Sequence, residues 1–114
     1  MTIHKLENYL RTYRRKSGLT QREVAFLLGC KNGAQISRYE KRRRLPPLRT
    51  ALACESVFGV PLSRLFAGIS DVVGRETQKR VQELKSKLQA ENTKDGKALM
   101  TAHKLAWLAQ RAAT

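Results

Sequence analysis

Between residues 31 and 44 the chain reads KNGAQISRYEKRRR. Its chemically capable side chains are amides (Asn32, Gln35), a hydroxyl (Ser37) and cations (Lys31, Arg38, Lys41, Arg42, Arg43, Arg44). An amide can pair with adenine and a guanidinium with guanine O6 and N7, each good pair contributing about 1–3 kcal/mol of discrimination. A run of cations meets phosphate without reading sequence. These groups recognise; they do not break bonds. The chain has no nucleophile–base pair, carboxylate pair or phosphate-cradling loop, so no enzyme and no cofactor are expected. Cys30, Cys54, His4 and His103 lack metal-finger spacing, so no metal site is expected and the cysteines read as small buried thiols.

The charge balance agrees with an anionic partner. The chain of 114 residues has 23 Lys and Arg against 9 Asp and Glu, a formal net charge of +14. Such an excess costs self-repulsion. It is uneven: residues 1–68 have 14 basic and 4 acidic side chains, residues 69–114 have 9 and 5. A general RNA or membrane-surface binder would spread its cations without a motif. No apolar run approaches the roughly 18 residues a membrane helix needs. MTIHKLENYL is no secretory leader, and two cysteines make no disulfide framework. A cytoplasmic protein with no membrane partner is the expectation.

The elements that must position these residues are short helices. Ile3, Leu6, Leu10 and Tyr13 form an apolar stripe ended by Ser17-Gly18. Thr20-Gln21-Arg22-Glu23 has the pattern of a capping box, opening a two-turn helix that stops at Gly29. After the turn CKNG a third helix covers about residues 33 to 41, with Ile36 and Tyr39 inward. Pro46-Pro47 ends it and opens a fourth, with Leu48, Ala51, Leu52, Cys54 and Phe58 apolar and Gly59 as its stop. Pro61 opens a fifth, closed by Gly68. No strand-like alternation and no repeat occurs, so the fold class is all-α. Two short helices crossing steeply at a tight turn, with Ala25 small at the contact and Ile36 in the junction, form a helix-turn-helix. That arrangement projects the second helix into the major groove of DNA.

GLTQREVAFLLG, ISRYEKRRRLPPL and FGVPLSRLF, within residues 6 to 66, resemble the lambda-repressor and Cro-like helix-turn-helix family, the XRE family. The resemblance implies a five-helix domain over residues 1–68 that binds double-stranded DNA, usually as a dimer on a palindromic operator. It places Gln21 against a DNA phosphate and the third helix in the groove. Lys31, Asn32, Ala34, Gln35, Ser37 and Arg38 are then candidates for the groove-facing surface. Lys41, Arg42, Arg43 and Arg44 would pass the phosphate backbone, with Thr50 a further phosphate candidate. It also implies an ion pair, Arg14 with Glu40, tying helix 1 to helix 3. In the family an Ile usually falls six residues after the turn glycine; here Gly29 to Ile36 is seven.

Residues 69–114 read as a separate helical hairpin, with Val81, Leu84 and Leu88 facing Leu99, Ala102, Leu105 and Ala109 across the turn NTKDG. Two helices have little core of their own. The hairpin is expected to dimerise or to bind a protein partner, with Leu84, Leu88, Leu105 and Trp107 at the interface. Trp107 reads equally as an interface anchor or as a residue packed in its own chain. Two functions fit: a sequence-specific regulator, repressing as a homodimer, or a DNA-binding antitoxin whose hairpin holds its toxin.

Overall fold

The computed structural model describes residues 7–91 and 98–112. Those residues contain seven helices and no strand: α1 (Leu10–Ser17), α2 (Gln21–Leu28), α3 (Gly33–Glu40), α4 (Leu48–Phe58), α5 (Leu62–Leu65), α6 (Ala67–Glu91) and α7 (Ala98–Ala112). They fall into two compact units, one extending to Val72 and the other beginning at Val73.

In the first unit, Leu10, Val24, Ile36, Cys54 and Leu65 are fully enclosed, with Ala25, Leu28, Tyr39, Val60 and Phe66 around them. Each of α1 to α5 thus places at least one side chain in a shared core, which is what lets helices of two turns persist. Gly18, Gly29 and Gly59 end α1, α2 and α4 in the left-handed conformation.

Several expectations need correction. The first helix begins at Leu10; Ile3 and Leu6 lie outside the described residues, and residues 7–9 are not helical. The Asn8 carbonyl accepts the Leu10 N–H at 3.0 Å while its amide nitrogen donates to the Tyr39 carbonyl at 2.9 Å, a local competitor to helical backbone bonding. Gly68 does not close a helix. It lies buried in the first turn of α6, without a positive φ, and its N–H donates to the Glu7 carbonyl at 2.9 Å. The first unit therefore runs past it to Val72. In α4, Leu48 and Leu52 stay exposed, because the inward edge is Ala51, Cys54 and Phe58 at spacings of three and four. Glu55 accepts the Leu62 N–H at 3.0 Å and caps α5.

The second unit is an antiparallel helix pair: the Gln78 side chain donates to the Arg111 carbonyl at 3.1 Å, joining α6 to the far end of α7. Leu88 is buried, and Val81, Leu105 and Leu108 are half-buried. Leu99, Ala102 and Ala109, expected to face α6, are exposed; the inward stripe of α7 is Thr101, Leu105 and Leu108. The turn NTKDG lies outside the described residues.

Burial pushes the Cys54 thiol up to about 12, with Cys30 nearby adding to the shift. The folded chain holds this proton more tightly than the unfolded chain, where a thiol titrates near 8.5. The resulting stability is intact below about pH 8.5 and declines as pH rises toward about 12. Urea melts of the wild type and Cys54→Ala should therefore converge across that window; parallel curves would show that Cys54 does not drive the alkaline loss.

Candidate nucleic-acid interface

The α2–turn–α3 segment is built by local hydrogen bonds. At its start the Thr20 hydroxyl accepts the Glu23 N–H at 3.1 Å and the Glu23 carboxylate accepts the Thr20 N–H at 2.9 Å. Hydrogen bonding from Thr20, its backbone N–H first and its side chain second, holds the Glu23 carboxyl below its ordinary value. Gly29 turns the chain at φ 73°, and the Cys30 N–H returns to the Ala25 carbonyl at 2.8 Å. Asn32 caps α3, its carbonyl accepting the Ala34 N–H at 3.0 Å. Because α3 is unbroken from Gly33 to Glu40, the seven-residue step from Gly29 to Ile36 is absorbed before the helix starts. Gly33 takes no positive φ. A Cβ there would stand 3.4 Å from the Gln21 Cβ and the Arg22 nitrogen, at the edge of ordinary van der Waals contact, so the start of α3 packs directly against the start of α2.

The exit of α3 is a Schellman turn. The Arg43 N–H donates to the Arg38 carbonyl at 3.0 Å and the Arg42 N–H to the Tyr39 carbonyl at 3.1 Å. The position that favours glycine holds Arg42, at φ 63°, the one non-glycine residue with positive φ among those described.

Arg14 grips Glu40 with two nitrogens, Nε to Oε2 at 2.5 Å and Nη2 to Oε1 at 3.1 Å, while its Nη1 donates to the Leu19 carbonyl at 3.2 Å. The Gln21 amide adds a third donor to Glu40, at 3.1 Å. The two charged side chains are only 13% and 3% exposed. The hydrogen bond to Glu40 raises the Arg14 pKa against the opposing effect of burial.

Around this frame the candidate residues divide. Ala34, Arg38 and Lys41 form an exposed stripe along α3, opposite buried Ile36 and Tyr39. Gln35 and Ser37 flank it half-buried, Lys31 and Asn32 are exposed in the turn, and Arg42, Arg43 and Arg44 are exposed beyond the helix. Among the described residues, Lys31, Arg38, Lys41, Arg42 and Arg43 have no ion-pair partner. Two candidates are already engaged. The Asn32 carbonyl is taken by its cap, leaving its amide nitrogen, and the Gln21 nitrogen is turned to Glu40. Thr50 is half-buried in the first turn of α4. Sequence reasoning passed over Arg22, which the capping box alone had absorbed. It is exposed and lines, with Lys31 and Asn32, a depression of about 470 Å³ beside the turn.

In the hairpin, Leu88 and Leu105 turn inward, whereas Leu84 and Trp107 are 46% and 58% exposed. Among the described residues there is no cluster able to hold a metal ion, and no helix is long and apolar enough to cross a membrane.

Comparison with known proteins gives one match: a family model described as helix-turn-helix covers residues 10–65. No curated protein and no solved structure matches the chain.

Two stability outcomes follow from this geometry. Arg14→Ala strands a nearly buried carboxylate and should cost about 3–5 kcal/mol in urea unfolding. Adding Glu40→Ala should recover part of that loss; additive losses would show that the two side chains act independently. Arg42→Gly relieves a left-handed conformation that costs a side-chain-bearing residue about 1–2 kcal/mol, and should raise the urea midpoint. A lowered midpoint would mean that the Arg42 side chain contributes more than the strain.

Proposed function

We propose that this chain, whose residues 10–65 belong to the helix-turn-helix family of lambda-repressor and Cro-like (XRE) DNA-binding regulators, is a repressor that binds a palindromic operator as a homodimer. The carrying observation is the surface of α3. Its exposed stripe holds Arg38 and Lys41 without carboxylate partners among the described residues, continues into Arg42, Arg43 and Arg44, and is borne by a helix fixed at both ends.

In this reading α3 enters the major groove. Arg38 and Gln35 read base edges, with Lys31, Ala34 and Ser37 beside them and the Asn32 amide nitrogen as a donor. Lys41, Arg42, Arg43 and Arg44 hold the phosphate backbone, joined by Thr50 and by Arg22 at the start of α2. Gln21 acts through Glu40, orienting α3. One helix reads only a few base pairs, so two copies on half-sites about 34 Å apart, or a multiple of that, supply the specificity. A protein with this task acts in the cytoplasm. A second reading, an antitoxin whose hairpin holds its toxin, is favoured by the exposed Leu84 and Trp107.

Selection from random duplexes should return a two-fold symmetric site; no enrichment over input would sink the reading. On that site Arg38→Ala and Gln35→Ala should each cost about 1–3 kcal/mol, and much less on random DNA. Equal losses on both would confine these side chains to the backbone. Replacing Arg42 and Arg43 together with Ala should lower the slope of log K against log salt by about 2, with sequence preference retained. An unchanged slope would remove them from the phosphate contacts.

A further inference from the structure

We propose that the open groove between α6 and α7 docks an acidic, amphipathic helical segment of another protein. The groove has a volume of about 420 Å³. Its floor is Leu84, Leu88, Trp107 and Leu108, and His103 and Lys104 stand at its edge. Trp107 and Leu84 remain about half exposed although the hairpin is closed, and Met100, a neighbour of Lys104 and Trp107 on the helical surface, is 66% exposed. Two helices that enclose only Leu88 among the large apolar residues of this unit leave these side chains to a partner.

The rim selects the partner. On α7, Lys104 and Arg111 share one stripe with Met100 and Trp107, and the Arg111 guanidinium lies 4.8 Å over the Trp107 ring. On α6, Arg80 and Lys87 share the stripe of Leu84 with Glu76 and Glu91, and Glu83 stands one turn before Lys87. The α7 wall holds Lys104 at the groove and no carboxylate anywhere along its length, which favours an acidic segment and disfavours a second copy of this basic surface. A groove between two parallel-lying helical ridges takes a helix whose leucines recur at spacings of three and four, with glutamates on its flanks. The occupant suits the hairpin whether the first unit represses a promoter alone or serves within a complex, so it does not depend on the operator reading.

The test uses the full chain and its single tryptophan, Trp107, as reporter. The probe is a tryptophan-free synthetic peptide of about 20 residues, long enough to be helical alone, with leucines at that spacing and glutamates beside them. It should shift the Trp107 emission saturably, and more weakly as salt rises. Lys104→Glu and Leu84→Ala should each weaken binding about tenfold or more, while the Arg42→Ala/Arg43→Ala protein binds as wild type. The same peptide with lysines should not bind, and DNA binding by Lys104→Glu should be unchanged, which separates this site from the operator surface. Three results would overturn the proposal: no binding or equal binding of the two peptides; loss of peptide binding in the Arg42→Ala/Arg43→Ala protein in place of Lys104→Glu; or an emission shift that grows with protein concentration alone, which would give the groove to a second copy.

Discussion

The Glu40 carboxylate is the point on which the DNA-binding unit turns. It is a charge almost withdrawn from water, and it accepts from Arg14 on α1 and from Gln21 on α2 while itself belonging to α3. A buried carboxylate is tolerable only when donors surround it, since its desolvation costs several kcal/mol. The requirement is directional, whereas the apolar contacts of Ile36 and Tyr39 with the core are not. Hydrophobic burial holds α3 down; the carboxylate sets its rotation and tilt. The side chains on the outer face inherit that orientation, so where Arg38 points depends on a bond made on the opposite side of the helix.

The two ends of α3 are handled differently. At the start, Asn32 gives its carbonyl to the Ala34 N–H and a glycine follows, so the chain enters the helix relaxed. At the exit, a left-handed residue is required, and the sequence supplies an arginine where glycine would be easiest. Strain of this kind persists where surrounding bonds over-determine the conformation. Here the bonds from Arg42 and Arg43 back to Tyr39 and Arg38 do so. The turn gains a guanidinium at a point where the chain is rigid, in place of a glycine that would offer nothing to an anion.

What the sequence made legible was local. The capping box at Thr20, the left-handed glycines at 18, 29 and 59, and the inward placement of Ile36 and Tyr39 each follow from residues within one or two turns. The pairing of Arg14 with Glu40 came from family resemblance, since nothing between residues 14 and 40 dictates it. The features that escaped are bonds between distant parts of the chain: Asn8 with Tyr39, Gln21 with Glu40, Glu55 with Leu62. A polar side chain announces that it needs a partner without naming one. Apolar pattern also failed where it was redundant. In α7, alanine and leucine occupy several stripes at once, so period alone could not choose Leu105 and Leu108 over Leu99 and Ala109. In α4 the leucines at 48 and 52 outrank Ala51 and Cys54 in hydrophobicity, yet the edge that meets the core is Ala51, Cys54 and Phe58.

The short segment before α1 bears on how this domain could be moved between proteins. Glu7, Asn8 and Tyr9 bond to Gly68, Tyr39 and Leu65, so the chain entering the domain is clasped to the chain leaving it and to α3 between. The stretch recognisable by family, residues 10–65, is consequently smaller than the piece that closes on itself. Grafting that stretch alone into another host would cut all three bonds, and the transplant would carry the exposed face of α3 without the latch that holds its frame shut. The natural module for exchange runs from Glu7 through the first turns of α6.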